Sequence, residues 1–150
     1  MSTIWITYAW DDNRQCDVDF VAQELFRVGV EVKLDRWNIL AGKRLWEQIE
    51  HFIQDETESD AWLIYATQNS LGSEACKEEI SYAFNSALNR RGSNFPIIAI
   101  SPGPVDEGLM PAGIRTRLHV SLTDREWKER VKAAAEGQSL SLSRPRLEPF

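Results

Sequence analysis

The chain has 150 residues, 43% hydrophobic and 27% charged, with a formal net charge of -6. That length is one domain with room for a real core. The acidic balance argues against nucleic acid as a main partner, because phosphate binding wants a basic surface, although a nucleotide can still enter a local pocket. No apolar run approaches the ~20 residues of a membrane span. Met1-Ser2-Thr3 leads straight into a strand pattern rather than a signal peptide. Cys16 and Cys76 are the two cysteines, far apart and without metal spacing. A reduced, cytoplasmic chain with no disulfide framework, metal or membrane partner is expected.

Thr3–Tyr8 reads as a buried first strand, and Asp11-Asp12-Asn13 as the loop after it. Val18 to Val28 is amphipathic, with Phe20, Val21, Leu25 and Val28 at helical spacing and Gly29 as C-cap. Glu31 to Asp35 alternates like a strand with one covered face. Residues 36–44 form a loop with apolar Trp37, Ile39 and Leu40 beside Gly42, Lys43 and Arg44. Leu45 to Ile53 is helical, with Leu45, Ile49, Phe52 and Ile53 on one face, and Asp55 to Ser59 is an acidic connector. Ala61–Ala66 is apolar throughout and predicts a central strand covered on both sides. A helix follows to about Leu88. Phe95–Ile100 is another buried run, with Pro96 near its start where proline is tolerated. Ser101 to Gly113 reads as a loop and Leu118–Leu122 as a short last strand. Asp124 is read as the cap of a helix from Arg125 to Glu136. Residues 1–137 thus form the domain, and 138–150 a Ser-, Pro- and Arg-rich tail without periodicity, read as flexible or docking.

Strands alternating with helices at this spacing predict right-handed crossovers and a parallel sheet with helices on both faces. Five strands favour the flavodoxin-like order 2-1-3-4-5, whose switch point lies at the carboxyl ends of strands one and three. The Ala9-Trp10-Asp11-Asp12 loop and the Ser70–Glu79 segment therefore converge on one crevice. In that segment Cys76, Ile80, Ala83, Phe84 and Ala87 share a helix face. Glu79 sits on the border of the face, while Glu74 and Glu78 point outward. A helix glutamate is ordinarily a solvated flank residue, and position alone favours that reading. Trp10 and Tyr8 suit the pocket wall, with core packing as competitor; Asp12 and Asn13 suit helix capping. His51 and His119 suggest no metal or triad. The acidic pair Asp11-Asp12 invites a phospho-receiver reading. It fails because strand three ends Tyr65-Ala66-Thr67, without an Asp, and Ser121-Leu122-Thr123 supplies no Lys after strand five.

These residues carry a family likeness over roughly Thr3 to Gly137. The first strand with Tyr8-Ala9-Trp10-Asp11-Asp12 resembles the first box of bacterial Toll/interleukin-1 receptor (TIR) domains. Leu34–Gly42 with Leu45-Trp46-Glu47-Gln48-Ile49 is similar to the second box and its loop. Asn69-Ser70 with Cys76-Lys77-Glu78-Glu79 is similar to the Ser…Cys-x-x-Glu segment of NAD-cleaving members. The resemblance implies cleavage of the nicotinamide–ribose bond of NAD+, as substrate rather than cofactor, with Glu79 as catalytic glutamate. Substrate contacts are then expected from Tyr8, Ala9, Trp10, Asp11, Trp37, Lys43, Arg44, Trp46, Ser70 and Cys76. Many members carry Trp four residues before the glutamate. Here Ala75 stands there, so a stacking aromatic has to come from Trp10, Trp37 or Trp46. Nicotinamide departs from a cationic ring and needs no general acid; one carboxylate serves the oxocarbenium-like transition state.

Trp37, Ile39 and Leu40 beside the basic pair make an apolar knob suited to a partner, here a neighbouring copy packed head-to-tail into filaments. The resemblance further implies bacterial anti-phage immune signalling, switched on by assembly, with a separately encoded sensor or effector as a further partner. Two rival readings are an adaptor without enzymatic activity that acts through TIR–TIR contact, and another ribosyl-transferring enzyme such as a nucleoside deoxyribosyltransferase relative.

Overall fold

A computed structural model describes residues 2–34, 45–55, 58–89, 95–115 and 118–137. Five strands, β1 (Ser2–Thr7), β2 (Val30–Lys33), β3 (Ala61–Tyr65), β4 (Ile97–Ser101) and β5 (Leu118–Ser121), form one sheet. Its order is β2-β1-β3-β4-β5 and every pairing is parallel. The flavodoxin-like order expected from the alternation is the observed one. The helices are α1 (Asp17–Arg27), α2 (Leu45–Gln54), the short α3 (Gln68–Leu71), α4 (Glu74–Asn89), α5 (Ala112–Arg115) and α6 (Trp127–Ala135). Among the described residues, no helix is long and apolar enough to cross a membrane.

Each central strand divides its side chains between two cores, because successive residues face opposite sides of a sheet. Ile4, Ile6, Leu63, Tyr65, Ile98 and Ile100 pack with Val18, Val21 and Leu25 of α1 and with Trp127 and Val131 of α6. Trp5, Trp62, Ile64, Ile97 and Ala99 pack on the opposite face with Ile49 and Ile53 of α2 and Ile80 and Ala83 of α4. The doubly covered β3 is buried along its whole length, as its unbroken apolar run predicts.

Several boundaries differ from the sequence expectation. Phe20 is exposed, although its helical spacing places it with the apolar residues of α1. Val18, Val21, Ala22 and Leu25 set the helix phase at i, i+3, i+4 and i+7, which turns Phe20 outward. The C-cap of α1 is Val28 rather than Gly29, which follows it with the positive φ, 93°, that ends such helices. The stretch from Ser101 to Gly113 is more ordered than a loop. It holds a 3₁₀ turn at Glu107–Leu109 and runs into α5, with Met110 and Ile114 buried. The last helix starts at Trp127 rather than Arg125. Asp124 Oδ1 instead accepts from Glu126 N at 2.8 Å in the preceding turn, and its Oδ2 accepts from Arg130 Nε at 2.6 Å. Asp35 and the tail 138–150 lie outside the described residues.

Candidate functional site

The chain leaves β1 and β3 side by side at their carboxyl ends, and the connections then run to opposite edges of the sheet. After β1, Tyr8 and Ala9 lead into a 3₁₀ turn at Trp10–Asn13. Asn13 locks this turn onto α1: its Oδ1 accepts from Val18 N at 2.8 Å and Asp19 N at 3.0 Å. The capping role expected for Asn13 is thus its observed one. Asp12 ties the turn to the loop after β3. Its Oδ2 accepts from Thr67 Oγ1 at 2.5 Å and its Oδ1 from Asn69 Nδ2 at 3.0 Å.

Across the switch point, Thr67 and Ser70 form a reciprocal capping box on α3. Ser70 Oγ accepts from Thr67 N at 2.9 Å and donates to Tyr65 O at 2.7 Å. Ser73 starts the next helix, its Oγ accepting from Cys76 N at 3.3 Å. These local bonds fix where α4 begins, and so where its first turns face.

A cavity of about 410 Å³ opens at this point. Tyr8, Ala9, Trp10 and Asp11 line one side, and Asn69, Ser73, Ala75, Cys76 and Glu79 the other, with Ile49 of α2 closing it. Its volume is that of a small-molecule site. Six expected residues, Tyr8, Ala9, Trp10, Asp11, Cys76 and Glu79, meet here. Trp10 is 70% exposed, so its ring stands at the mouth. Asp11 is paired with Arg14 at 2.7 Å on the surface.

Glu79 is only 7% exposed. The solvated helix-flank reading therefore does not hold, because the carboxylate sits inward. Its Oε1 accepts from Trp5 Nε1 at 3.0 Å and from Thr7 Oγ1 at 2.5 Å. Thr7 Oγ1 itself accepts from Trp62 Nε1 at 2.8 Å. Two donors on one oxygen hold a buried carboxylate in a set orientation, and charged acceptors make the stronger bonds. Glu74 and Glu78 are exposed, as the helix phase predicts.

Ser70 is the correction. It was expected to touch substrate, yet it is fully buried and does not line the cavity. Its hydroxyl is engaged by backbone groups of the β3–α3 turn, which is its structural task. Trp37, Ile39, Leu40, Lys43 and Arg44, and the side chain of Trp46, lie outside the described residues.

Sequence reasoning did not find Trp5, Thr7 and Trp62, which stand behind the carboxylate, nor Ile49, Asn69 and Ser73 on the wall. A signal for the first three was present. Thr7 and two indole N–H groups lie in the buried stretches of β1 and β3, and buried polar groups need partners. Nearby, burial and the charges of Asp17 and Asp12 push the Tyr65 hydroxyl up to about 12. Burial and then Glu78 and Glu50 raise that of Tyr82.

The arrangement defines a class: an α/β domain of flavodoxin-like topology with a buried carboxylate facing a cavity at its switch point. The chain matches the family model described as TIR domain over residues 4–135, and it belongs to the TIR family. Among solved structures it is similar to the TIR domain of the Toll-related receptor TRR-2 from Hydra magnipapillata. The two share 14% identity, with 91% of this chain and 94% of that chain covered and a TM-score of 0.64. It is also similar to the TIR domains of the activated Roq1 resistosome directly recognizing the pathogen effector XopQ. That likeness has 16% identity, 91% and 84% coverage and a TM-score of 0.57. At these identities the likeness is one of fold. No curated protein matches the sequence.

Proposed function

We propose that this TIR domain cleaves the nicotinamide–ribose bond of NAD+, with Glu79 as the catalytic carboxylate. The observation that supports this most directly is Glu79 itself. It is a buried carboxylate, held by two donors, on the wall of a cavity whose mouth carries an exposed tryptophan. The nicotinamide ring of NAD+ is cationic, and a carboxylate with aromatic neighbours is the environment that attracts such a ring. Trp10 supplies the stacking surface, and Ala75 leaves the opposite wall open. In the reaction the C1′–N bond breaks and its electron pair leaves with neutral nicotinamide. The positive charge that develops on the ribose is stabilised by the Glu79 carboxylate. Water then adds at C1′ and releases a proton, giving ADP-ribose. A ribose or base atom adding in its place gives a cyclic isomer or a conjugate.

Self-assembly through Trp37, Ile39 and Leu40 is part of the proposal, as are Trp37, Lys43, Arg44 and Trp46 as substrate contacts and immune signalling in the cytoplasm as the setting. The second reading, an adaptor that works by TIR–TIR contact alone, is favoured by one observation. Ala75 lines the cavity where NAD-cleaving relatives are expected to place Trp. Incubation of the purified protein with NAD+, dilute and crowded, separates the two. Nicotinamide release that disappears in Glu79→Ala is the expected result. Absence of release under both conditions leaves the adaptor reading standing.

A further inference from the structure

We propose that Thr7 is the positioning residue for the Glu79 carboxylate and that Trp62 sets the direction in which the Thr7 hydroxyl donates. The inference rests on the proposed function for its catalytic consequence; the hydrogen-bond relay is legible without it. Register places the parts. Trp5 of β1 pairs directly with Trp62 of β3, and Thr7 lies two residues further along β1 on the same face. Trp5 and Trp62 are fully buried and Thr7 is 1% exposed, so none of them turns to bulk water.

An indole N–H only donates, and a hydroxyl has one proton. At 2.8 Å the Trp62 N–H occupies an acceptor position of Thr7 Oγ1. The single Thr7 proton is then directed at Glu79 Oε1, 2.5 Å away. Threonine is β-branched and stiff at χ1, so its oxygen does not wander. Trp5 Nε1 approaches the same Oε1 from β1, and its ring is stacked on Phe52 of α2 at 5.4 Å with 14° between planes. Oε1 is thereby held between two donors from one strand. Glu79 is carried by a helix, and this clamp fixes its carboxylate relative to the sheet rather than to its own helix alone. A carboxylate that stabilises charge at one ribose carbon needs that fixity, since small misplacements are costly in rate.

The test uses the full chain with Thr7→Val, Thr7→Ser and Trp62→Phe, read by nicotinamide release from NAD+ and by the indole N–H resonances. Thr7→Val keeps the shape and removes the donor; kcat is expected to fall about tenfold or more with KM nearly unchanged. Thr7→Ser restores most of the rate, and Trp62→Phe, whose Thr7 hydroxyl is no longer directed, falls between. The Trp62 indole resonance moves in Thr7→Val and again in Glu79→Gln, to which Thr7 links it by hydrogen bonds. Glu78→Gln moves neither indole. Full kcat in Thr7→Val, or a Trp62 resonance indifferent to Glu79→Gln, overturns the inference. A wild-type chain that releases no nicotinamide overturns the proposed function instead, and the resonances then decide the positioning of Glu79 on their own. If Thr7→Val does not fold, Trp62→Phe carries the same test.

Discussion

Replacing Glu79 by Gln and by Ala separates its place in the fold from its place in the chemistry. The Gln amide oxygen stands where Oε1 stands and still accepts from Trp5 and Thr7. The exchange weakens two charge-assisted bonds but also removes a charge from a site only 7% exposed. Those terms oppose each other, and the net change is expected within about 1 kcal/mol. Ala leaves both buried donors without that acceptor, at roughly 1–3 kcal/mol each. Ala should therefore be less stable than Gln by about 2–6 kcal/mol, or about 4–24 °C in Tm for a domain of this size. Thermal unfolding of the three proteins reads this, and nicotinamide release is followed on the same samples. Both variants should lose release by roughly a hundredfold or more, so activity and stability come apart in Gln. An Ala variant melting with Gln would refute the convergence of donors on this side chain. A Gln variant with wild-type turnover would remove Glu79 from the chemistry.

Three further outcomes follow from other parts of the molecule. Adding a Cβ at Gly113 places it 2.7 Å from Phe84 Cζ and 2.9 Å from Cε1; Gly113→Ala should cost about 1–3 kcal/mol, read as a lower urea midpoint. Tyr65 ionises at about 12 in the folded chain against 10.0 for an ordinary tyrosine. A raised folded value means the stabilisation is complete below pH 10.0 and is lost as pH rises through about 12. Urea unfolding across that window should show the loss, and Tyr65→Phe should flatten it. For residues 36–44, Trp37→Ala or Leu40→Ala is expected to reduce assembly under activating conditions. Unchanged particle size by light scattering would count against that assignment.

The fold was legible because its signals are local and periodic. The unbroken apolar run at Ala61–Ala66 demands cover on both faces, and helices between such runs leave few topologies open. The cavity was partly legible for the same reason. Strand order alone brings Tyr8–Asp11 beside Cys76 and Glu79. Ser70 is expected at the site only through the family resemblance, whereas its hydroxyl is consumed by the turn that launches α3. Phe20 was misread because a one-residue change of helix phase moves a side chain by about 100°, and only the packing of Val18, Val21 and Leu25 sets that phase.

By itself, the sequence determined the parallel sheet, its order and the switch point, and its family resemblance pointed to Glu79 there. Tertiary structure alone decided what holds that glutamate. Trp5 and Thr7 stand 74 and 72 residues from Glu79, and Trp62 belongs to another strand. The strand period of two puts Trp5 and Thr7 on one face, but no periodicity relates them to Trp62 or Glu79. The four meet because β1 and β3 pair in a register that sets Trp5 against Trp62, while α4 lies across that face. Hydrogen bonds between side chains depend on distances of a few tenths of an ångström, and those are fixed by packing rather than by pattern.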